Sequence, residues 1–300
     1  MELLRSLMFV PGHNEKLIDS ALGRDADVLL FDLEDSVQPE SNKLLAREII
    51  IRRLKDPRFD QYKKYVRLNE IETPYFLQDV LMLTTANIDG FLLSKTNTKE
   101  DVQYLDNLLT SIERDRGIQL NTFKIIPILE SVKSIVNINQ IACASNRLVA
   151  LGFGSEDYVS DIQGIRDFDE NLSITYPRAL VPTVARAYGL EAIDAAYIKI
   201  HDLEGLEKHA KIGKTLGYSG MWILHPKQNE IVNTIYSPTE QEYNQAKEFL
   251  RLYEEAKKIN KGVAIIEGTF IGPPIVTKSK DIIKKIELIS KKRKNNHENS

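Results

Sequence analysis

Two carboxylates each follow an apolar stretch that is typical of a buried strand. Glu130 ends the run that starts at Lys124, and Asp157 lies just beyond the run that ends at Phe153. Acidic oxygens at the C-terminal ends of successive parallel strands are where a barrel enzyme holds a divalent cation. Mg²⁺ takes one or two carboxylates and leaves its other positions to water and substrate oxygens. We therefore expect Glu130 and Asp157 to be metal ligands; the alternative is that they cap the helices that follow.

A second group of charged residues ends two earlier strands. Asp32, Glu34 and Asp35 close the second predicted strand, and Asp32 and Glu34 share a face because side chains alternate along a strand. Arg67 ends the third strand, where it needs an anion because a guanidinium cannot lose its charge. That anion is either a substrate carboxylate or a neighbouring Glu34 or Glu130. The acids are expected to bind metal-bound water, and the alternative is an ordinary strand end.

Other residues near the predicted strand ends are candidates for contact with substrate. A glycine at Gly154 lets the backbone approach a ligand closely, and nearby amides could receive a carboxylate. Lys95 ends the fourth strand and His225 the eighth, although one basic residue at a strand end is weak evidence. Arg5 precedes the first strand and either binds substrate or lies at the surface. The expected substrate-binding residues are Arg5, Arg67, Gly154, Ser155 and Glu156.

Short apolar runs that alternate with helical stretches would position these residues. Near-continuous apolarity is typical of strands that are covered on both faces, and helical spacing between them indicates parallel crossover units. Eight such units predict a closed (β/α)8 TIM barrel, an α/β fold, over residues 1–236. Residues 237–300 are expected to form a C-terminal arm of helix, loop and basic helix that belongs to the same domain and is available for a neighbour. The predicted strands are Leu7–Val10, Val28–Leu33, Tyr65–Leu68, Gly90–Leu93, Ile125–Leu129, Leu148–Phe153, Ala195–Ile200 and Gly220–Leu224.

Composition limits the possible partners. The formal net charge is −3, so the field of the whole protein favours neither nucleic acid nor a membrane as a partner. The sequence contains no glycine-rich nucleotide loop after an early strand, no Cys/His cluster with zinc spacing and no serine nucleophile elbow. Redox cofactors and zinc are therefore not expected. The N-terminus lacks the pattern of a signal peptide, so we expect a cytoplasmic location, and we expect the single cysteine, Cys143, to be buried.

Six motifs in order resemble those of the citrate lyase beta subunit family, which includes malyl-CoA and citramalyl-CoA lyases within the wider aldolase superfamily. The resemblance spans about residues 4–290. The motifs are Arg5–Gly12, Asp32–Asp35, Val66–Asn69, Pro127–Ser131, Gly152–Tyr158 and Gly217–Pro226.

The resemblance implies an activity and a set of roles. The activity is reversible cleavage of a 3-hydroxy-3-carboxyacyl thioester, carried by coenzyme A or a carrier protein, into an acyl thioester and an α-oxo acid. By the resemblance Glu130 and Asp157 are the Mg²⁺ ligands and Arg67 holds the oxo-acid or enolate oxygen. Glu34 and Asp35 then support metal-bound water, and the family implies a homotrimer.

The C-terminal arm departs from the family pattern at one position. Many members have an aspartate in an Ile-Asp-x-Pro sequence, and this chain has Gly272 there. By the resemblance that aspartate reaches a neighbouring subunit's site and handles the proton at the acyl carbon. Either Glu267 or a substrate group takes over this role, or the chain has a different activity, such as thioester hydrolysis or oxo-acid binding without lyase turnover.

Overall fold

Eight parallel strands follow one another in sequence order and close into a barrel, since the last strand also pairs with the first. This arrangement is seen in a computed structural model, which describes residues 2–258, 264–266 and 269–298. It confirms the predicted (β/α)8 barrel. The strands are β1 (Ser6–Pro11), β2 (Val28–Asp32), β3 (Lys63–Arg67), β4 (Gly90–Leu93), β5 (Lys124–Leu129), β6 (Ala150–Phe153), β7 (Glu191–Asp194) and β8 (Gly220–Ile223).

Helices connect the strands and cover the barrel, as parallel crossover connections require. Two short helices, α5 (Val132–Val136) and α6 (Ile138–Ala142), follow β5, and α7 (Ser155–Asp161) starts directly after β6 with Gly154 as its N-cap. The helices of this part of the chain are α1 (Glu15–Ala21), α2 (Asn42–Arg53), α3 (Phe76–Leu83), α4 (Lys99–Asp115), α5 (Val132–Val136), α6 (Ile138–Ala142), α7 (Ser155–Asp161), α8 (Leu172–Ala187), α9 (Leu203–Leu216) and α10 (Asn229–Tyr236).

A buried apolar cluster contributed by all eight strands forms the core of the barrel. Trp222 on β8 is its largest member and donates its indole N–H to the carbonyl oxygen of Phe153 at 2.9 Å. Glycine is required opposite this ring, because a Cβ at Gly152 would lie 2.1 Å from the Trp222 ring. The end of β6 is therefore fixed by packing from inside the barrel, and α7 starts from a defined point.

The prediction of the seventh strand was wrong, whereas the other seven predicted strands overlap observed strands. Residues 195–200 are irregular, and β7 is instead Glu191–Asp194. This strand was missed because both of its ends are charged. Each carboxylate is neutralised by an arginine of α8: Glu191 pairs with Arg186 at 2.8 Å, and Asp194 with Arg178 at 2.6 Å. The prediction of a buried thiol was also wrong, because Cys143 follows α6 with its side chain exposed.

The chain divides into two compact units, Met1–Thr234 and Ile235–Ser300. The second unit contains α11 (Glu240–Lys258), an antiparallel pair of β9 (Ala264–Ile266) with β10 (Thr269–Ile271), and α12 (Pro273–Glu298). Contact of the arm with a neighbouring subunit stays a prediction. Across the described ranges, no helix has both the length and the apolar content that a membrane span needs.

Candidate active site

The C-terminal ends of β2 to β6 bring charged side chains from distant parts of the sequence to one mouth of the barrel. Because the strands are parallel, these ends all face the same way, which is where barrel enzymes carry their active sites. Most of the predicted site residues lie at this mouth, and Arg5 does not. The charged residues at the mouth include Asp32, Glu34, Asp35, Arg67, Lys95, Glu130 and Asp157.

Arg67 is held by Asp32 across the β2–β3 pair, where the two residues are register partners. The guanidinium donates from Nε to Asp32 Oδ1 and from Nη2 to Asp32 Oδ2, both at 2.7 Å. Burial alone would raise the pKa of Asp32, but the charge and hydrogen bonds of Arg67 lower it below its usual value. Asp32 is therefore ionised, and this two-pronged bond fixes the plane of the guanidinium.

Arg67 also faces two further carboxylates and one aromatic ring. Its Nη1 lies 2.8 Å from Glu34 Oε2 and 3.1 Å from Asp35 Oδ2, and its guanidinium lies 4.9 Å from the centre of the Phe9 ring. Asp35 is exposed. Three of the five N–H groups of Arg67 donate to Asp32 and Asp35, and Nη1 is also paired with Glu34, so within the described chain donor capacity remains on Nη2 for a substrate oxygen.

Glu34 is a buried carboxyl group with incomplete hydrogen bonding. Its Oε2 accepts a hydrogen bond from Ser94 Oγ at 3.2 Å, whereas Oε1 has no hydrogen-bond partner among the described residues; the nearest cation, Lys95 Nζ, is 3.9 Å away. Burial raises the pKa of Glu34 to about 7, against the opposing charge of Arg67. Near neutral pH this group can therefore hold or release a proton.

Glu130 is likewise buried and accepts the backbone N–H of Lys95 on Oε1 at 2.7 Å. Burial, followed by the negative charges of Glu34 and Asp157, raises its pKa to about 8. Among the described residues no guanidinium or ammonium group forms an ion pair with Glu130, although Lys95 and Lys133 line the same cavity. A cation would offset both the burial and the neighbouring negative charges, because it compensates the buried charge of Glu130 and favours its ionised form.

Glu130 and Asp157 line the same open cavity of about 480 Å³, together with Lys95. Asp157 is exposed and lies in the first turn of α7. Within the described residues no cluster of three or more His, Cys, Asp or Glu side chains forms a metal cage. Two carboxylates with open space between them and solvent nevertheless fit Mg²⁺, which usually keeps several waters and takes only one or two protein carboxylates. The donor set, all oxygen, fits the same ion.

Three predicted substrate-binding residues lie at the start of α7, and the first of them, Gly154, lies next to Glu130. Gly154 donates its N–H to the carbonyl oxygen of Leu129, and a Cβ at Gly154 would lie 2.8 Å from Glu130 Oε2. Ser155 is buried and donates its hydroxyl to Glu156, whose carboxylate also accepts Arg166 Nε at 2.9 Å. The carboxylate of Glu156 is thus already paired, and only the backbone of this turn is suited to bind an anion.

Arg5 lies at the opposite end of the barrel, so its prediction as a substrate-binding residue was wrong. It precedes β1 and forms a buried ion pair with Asp27, which precedes β2. Its Nε donates to Asp27 Oδ2 at 2.8 Å and its Nη2 to Oδ1 at 2.7 Å. Residues before parallel strands lie at the N-terminal face, where they contribute to stability.

Two contributions to the site were missed or underrated in the sequence. Asp32 was not foreseen as the partner of Arg67, although a strand-end acid on the adjacent strand is a possible partner. Lys95 was given little weight, yet its ammonium contacts Glu70 and faces Glu34, and its backbone binds Glu130. Its backbone is left-handed, with φ of 45°, which the sequence does not reveal.

A second cavity of about 640 Å³ opens beside the mouth between β1, α1 and β8. Apolar side chains form most of its wall, and Phe9 connects it with Arg67. Arg24 and Lys227 also line it and provide two positive charges, against one negative charge from Glu230. This cavity therefore suits a ligand with an apolar chain and an anionic group.

Known proteins of one family are similar to this chain over most of its length. The sequence profile described as HpcH/HpaI aldolase/citrate lyase matches residues 5–226. The chain is 31% identical to the citrate lyase subunit beta of Haemophilus influenzae over 95% of this chain and 97% of that protein. It is 30% identical to the L-malyl-CoA/beta-methylmalyl-CoA lyase of Cereibacter sphaeroides, with 95% of each covered. The citrate lyase beta subunit of M. tuberculosis, solved with oxaloacetate and magnesium, matches with a TM-score of 0.65 at 26% identity over 78% of this chain and 99% of that chain.

Proposed function

Because the chain belongs to the HpcH/HpaI aldolase/citrate lyase family, we propose that it is a Mg²⁺-dependent carbon–carbon lyase. It would cleave a 3-hydroxy-3-carboxyacyl thioester of the citryl, malyl or citramalyl type into an acyl thioester and an α-oxo acid. The observation that carries this proposal is the proximity of an uncompensated buried Glu130 to Asp157 and to a fixed guanidinium at Arg67. Curated relatives over nearly the whole chain are lyases, which supports the reaction class.

Glu130 and Asp157 would hold the metal. A bound Mg²⁺ ion supplies Lewis-acid polarisation of the oxygen on the carbon that becomes the oxo acid's carbonyl. Glu130 binds in its ionised form, so its raised pKa means that a proton leaves when the site is filled. The M. tuberculosis relative was solved with magnesium and oxaloacetate, which supports the same assignment of ion and oxo acid here.

Arg67 would bind the carboxylate or carbonyl oxygen of the oxo-acid half. Asp32 fixes the guanidinium in the free protein, so its remaining donors need no reorganisation when negative charge develops on the substrate oxygen. The N–H groups at the start of α7, near Ser155 and Glu156, would receive the other carboxylate oxygen. Arg67 and the turn after β6 then hold one oxo acid from two sides.

Glu34 is the candidate for the substrate's hydroxyl proton. In the cleavage direction the hydroxyl proton would pass to Glu34, the carbon–carbon bond would break, and its electron pair would pass to the acyl thioester as an enolate. The enolate carbon would then take up one proton, so the reaction releases no net proton. A group with a pKa of about 7 suits such transfer at neutral pH. Asp35 contacts Arg67 from the solvent side and would orient water bound at the site.

The acyl thioester would enter through the 640 Å³ cavity between β1, α1 and β8. Its apolar walls suit the carrier's chain, and Arg24 and Lys227 suit a phosphate. Phe9 lines this cavity, and its ring also contacts the Arg67 guanidinium. The thioester and the oxo acid would therefore meet at the barrel mouth.

Thioester hydrolysis is the second candidate, and Gly272 favours it. The residue precedes α12, where its carbonyl oxygen accepts the N–H groups of Ile275 and Val276, and it has no side chain that could carry a proton to the acyl carbon. Glu267, the proposed substitute, lies outside the described residues. A barrel that binds metal and oxo acid without turnover is the remaining alternative.

The reaction is tested by incubating purified protein with Mg²⁺ and citryl, malyl and citramalyl thioesters while free oxo acid and free thiol are followed. Release of oxo acid in step with a new acyl thioester is expected. Thiol release without a new acyl thioester would support hydrolysis instead, and absence of any product would refute both. Glu130→Gln is the matched control, since it keeps the side-chain shape and is expected to lose activity with the metal.

A further inference from the structure

Lys95 follows β4 by two residues and has left-handed backbone, with φ of 45°. L-residues rarely adopt this conformation because Cβ approaches the following carbonyl oxygen, and short polar side chains such as Asn tolerate it best. Lysine has no such local compensation. Surrounding structure must therefore impose the conformation, and such residues cluster at functional sites. In the described chain, the other non-glycine residues with positive φ are Asn121, Gln163 and Asn171.

The left-handed turn presents the N–H of Lys95 to Glu130. The N–H donates to Oε1 at 2.7 Å, and Oε2 has no hydrogen-bond donor within the described residues. On its other side the carboxylate abuts Gly154, where an added Cβ would come within 2.8 Å of Oε2. The N–H of Lys95 thus fixes the position of Oε1 of Glu130, and the close approach of Gly154 fixes the position of Oε2.

The side chain of Lys95 makes separate contacts. Its ammonium binds the carboxylate of Glu70 and lies 3.9 Å from Glu34 Oε1. The backbone of this residue therefore acts on Glu130, and its side chain acts on Glu34 and Glu70, which lie in the segments after β2 and β3. These two effects can be separated by substitution, because only the backbone effect depends on φ.

We infer that Lys95 is a positioning residue whose left-handed backbone N–H holds Glu130 in the orientation that binds the metal, independently of its ammonium group. This inference rests on the proposed metal site at Glu130 and Asp157. A residue that resists positive φ should misplace the N–H and weaken Mg²⁺ binding. A residue that accepts positive φ should preserve binding even without the positive charge.

The experiment measures Mg²⁺ affinity by calorimetry for Lys95→Val, Lys95→Gly and Lys95→Asn. We expect Lys95→Val to bind about tenfold more weakly, because a β-branched side chain opposes left-handed backbone. Lys95→Gly and Lys95→Asn should stay within about threefold of wild type, since both accept this backbone. Asn121→Val is the control: it places valine at another left-handed position, before β5, and should lower the melting temperature without changing Mg²⁺ affinity.

The outcomes separate this inference from the metal site itself. Equal Mg²⁺ affinity for wild type and Lys95→Val would overturn the inference and leave the metal site intact. If Lys95→Gly loses as much Mg²⁺ affinity as Lys95→Val, the inference is also overturned, because the missing ammonium group would then explain the loss. No Mg²⁺ binding by wild type would overturn the metal site and the inference together. If Lys95→Val does not fold, Lys95→Ala replaces it, because alanine and glycine both lack the ammonium and differ in their tolerance of positive φ.

Discussion

Binding of Mg²⁺ should release protons from the protein, and the amount follows from the environment of Glu130. Burial, assisted by the charges of Glu34 and Asp157, raises the pKa of this carboxyl to about 8. The metal binds only the ionised carboxylate, so any proton present must leave. Below pH 8 the proton therefore competes with Mg²⁺ for Glu130, and the affinity for Mg²⁺ falls as the pH falls.

The magnitude can be worked out for each pH. A group with a pKa of about 8 is roughly 0.9 protonated at pH 7 and about 0.1 protonated at pH 9. Glu34, with a pKa of about 7, adds up to about half a proton at pH 7 if the ion's charge also ionises it. We expect about 0.9 to 1.4 protons released per ion at pH 7. For Glu130 alone, affinity should fall roughly 50-fold between pH 8 and pH 6.

Calorimetry in two buffers of different ionisation enthalpy, such as PIPES and Tris, measures the released protons directly. Asp157→Asn serves as a matched variant, because it removes a ligand without removing Glu130. It should bind more weakly and still release most of the proton. An observed heat that does not depend on the buffer at pH 7, or an affinity that stays constant from pH 6 to pH 8, would contradict the assigned role of Glu130.

Three further substitutions test separate parts of the structure. Gly154→Ala places a Cβ 2.6 Å from Glu130 Cβ and should lower Mg²⁺ affinity at least about tenfold. The control, Gly189→Ala, adds a Cβ that meets nothing within 4 Å and should leave Mg²⁺ affinity unchanged. Equal affinities of the two variants in calorimetry would count against the contact between Gly154 and Glu130. Asp27→Ala removes the carboxylate of the buried ion pair with Arg5 and should lower the free energy of unfolding by about 3 kcal/mol in urea titrations, with Mg²⁺ affinity unchanged; a parallel loss of affinity would argue against placing this pair at the far end of the barrel. Gly272→Asp should raise oxo-acid release at least about tenfold if the missing carboxylate limits proton transfer to the acyl carbon, and unchanged release would show that this position does not limit the reaction.

The barrel could be predicted because most of its strands are covered on both faces and read as apolar runs. β7 could not be found that way. Its carboxylates at Glu191 and Asp194 are buried against arginines of α8, and a pairing between different elements leaves no local pattern in the sequence. The irregular segment after it, residues 195–200, is itself apolar in part and was mistaken for the strand.

The candidate site was predictable in its composition and less so in its geometry. Strand-end position alone brought Glu34, Arg67 and Glu130 to one mouth, because parallel strands end on the same side. The same rule places Arg5, which directly precedes β1, at the opposite face. The left-handed backbone of Lys95 depends on tertiary contacts, and no residue type in its neighbourhood signals it.

The two-pronged bond between Asp32 and Arg67 has a consequence for the thermodynamics of recognition. The pair spans adjacent strands in register, so the rotamer entropy of a long side chain is lost once, when the barrel folds. A ligand that binds this guanidinium does not have to immobilise it again. Less of the favourable binding enthalpy is therefore offset by lost side-chain entropy, and the binding free energy is more favourable. Folding of the β2–β3 pair thus supplies part of the order that an oxo acid would otherwise have to impose on binding.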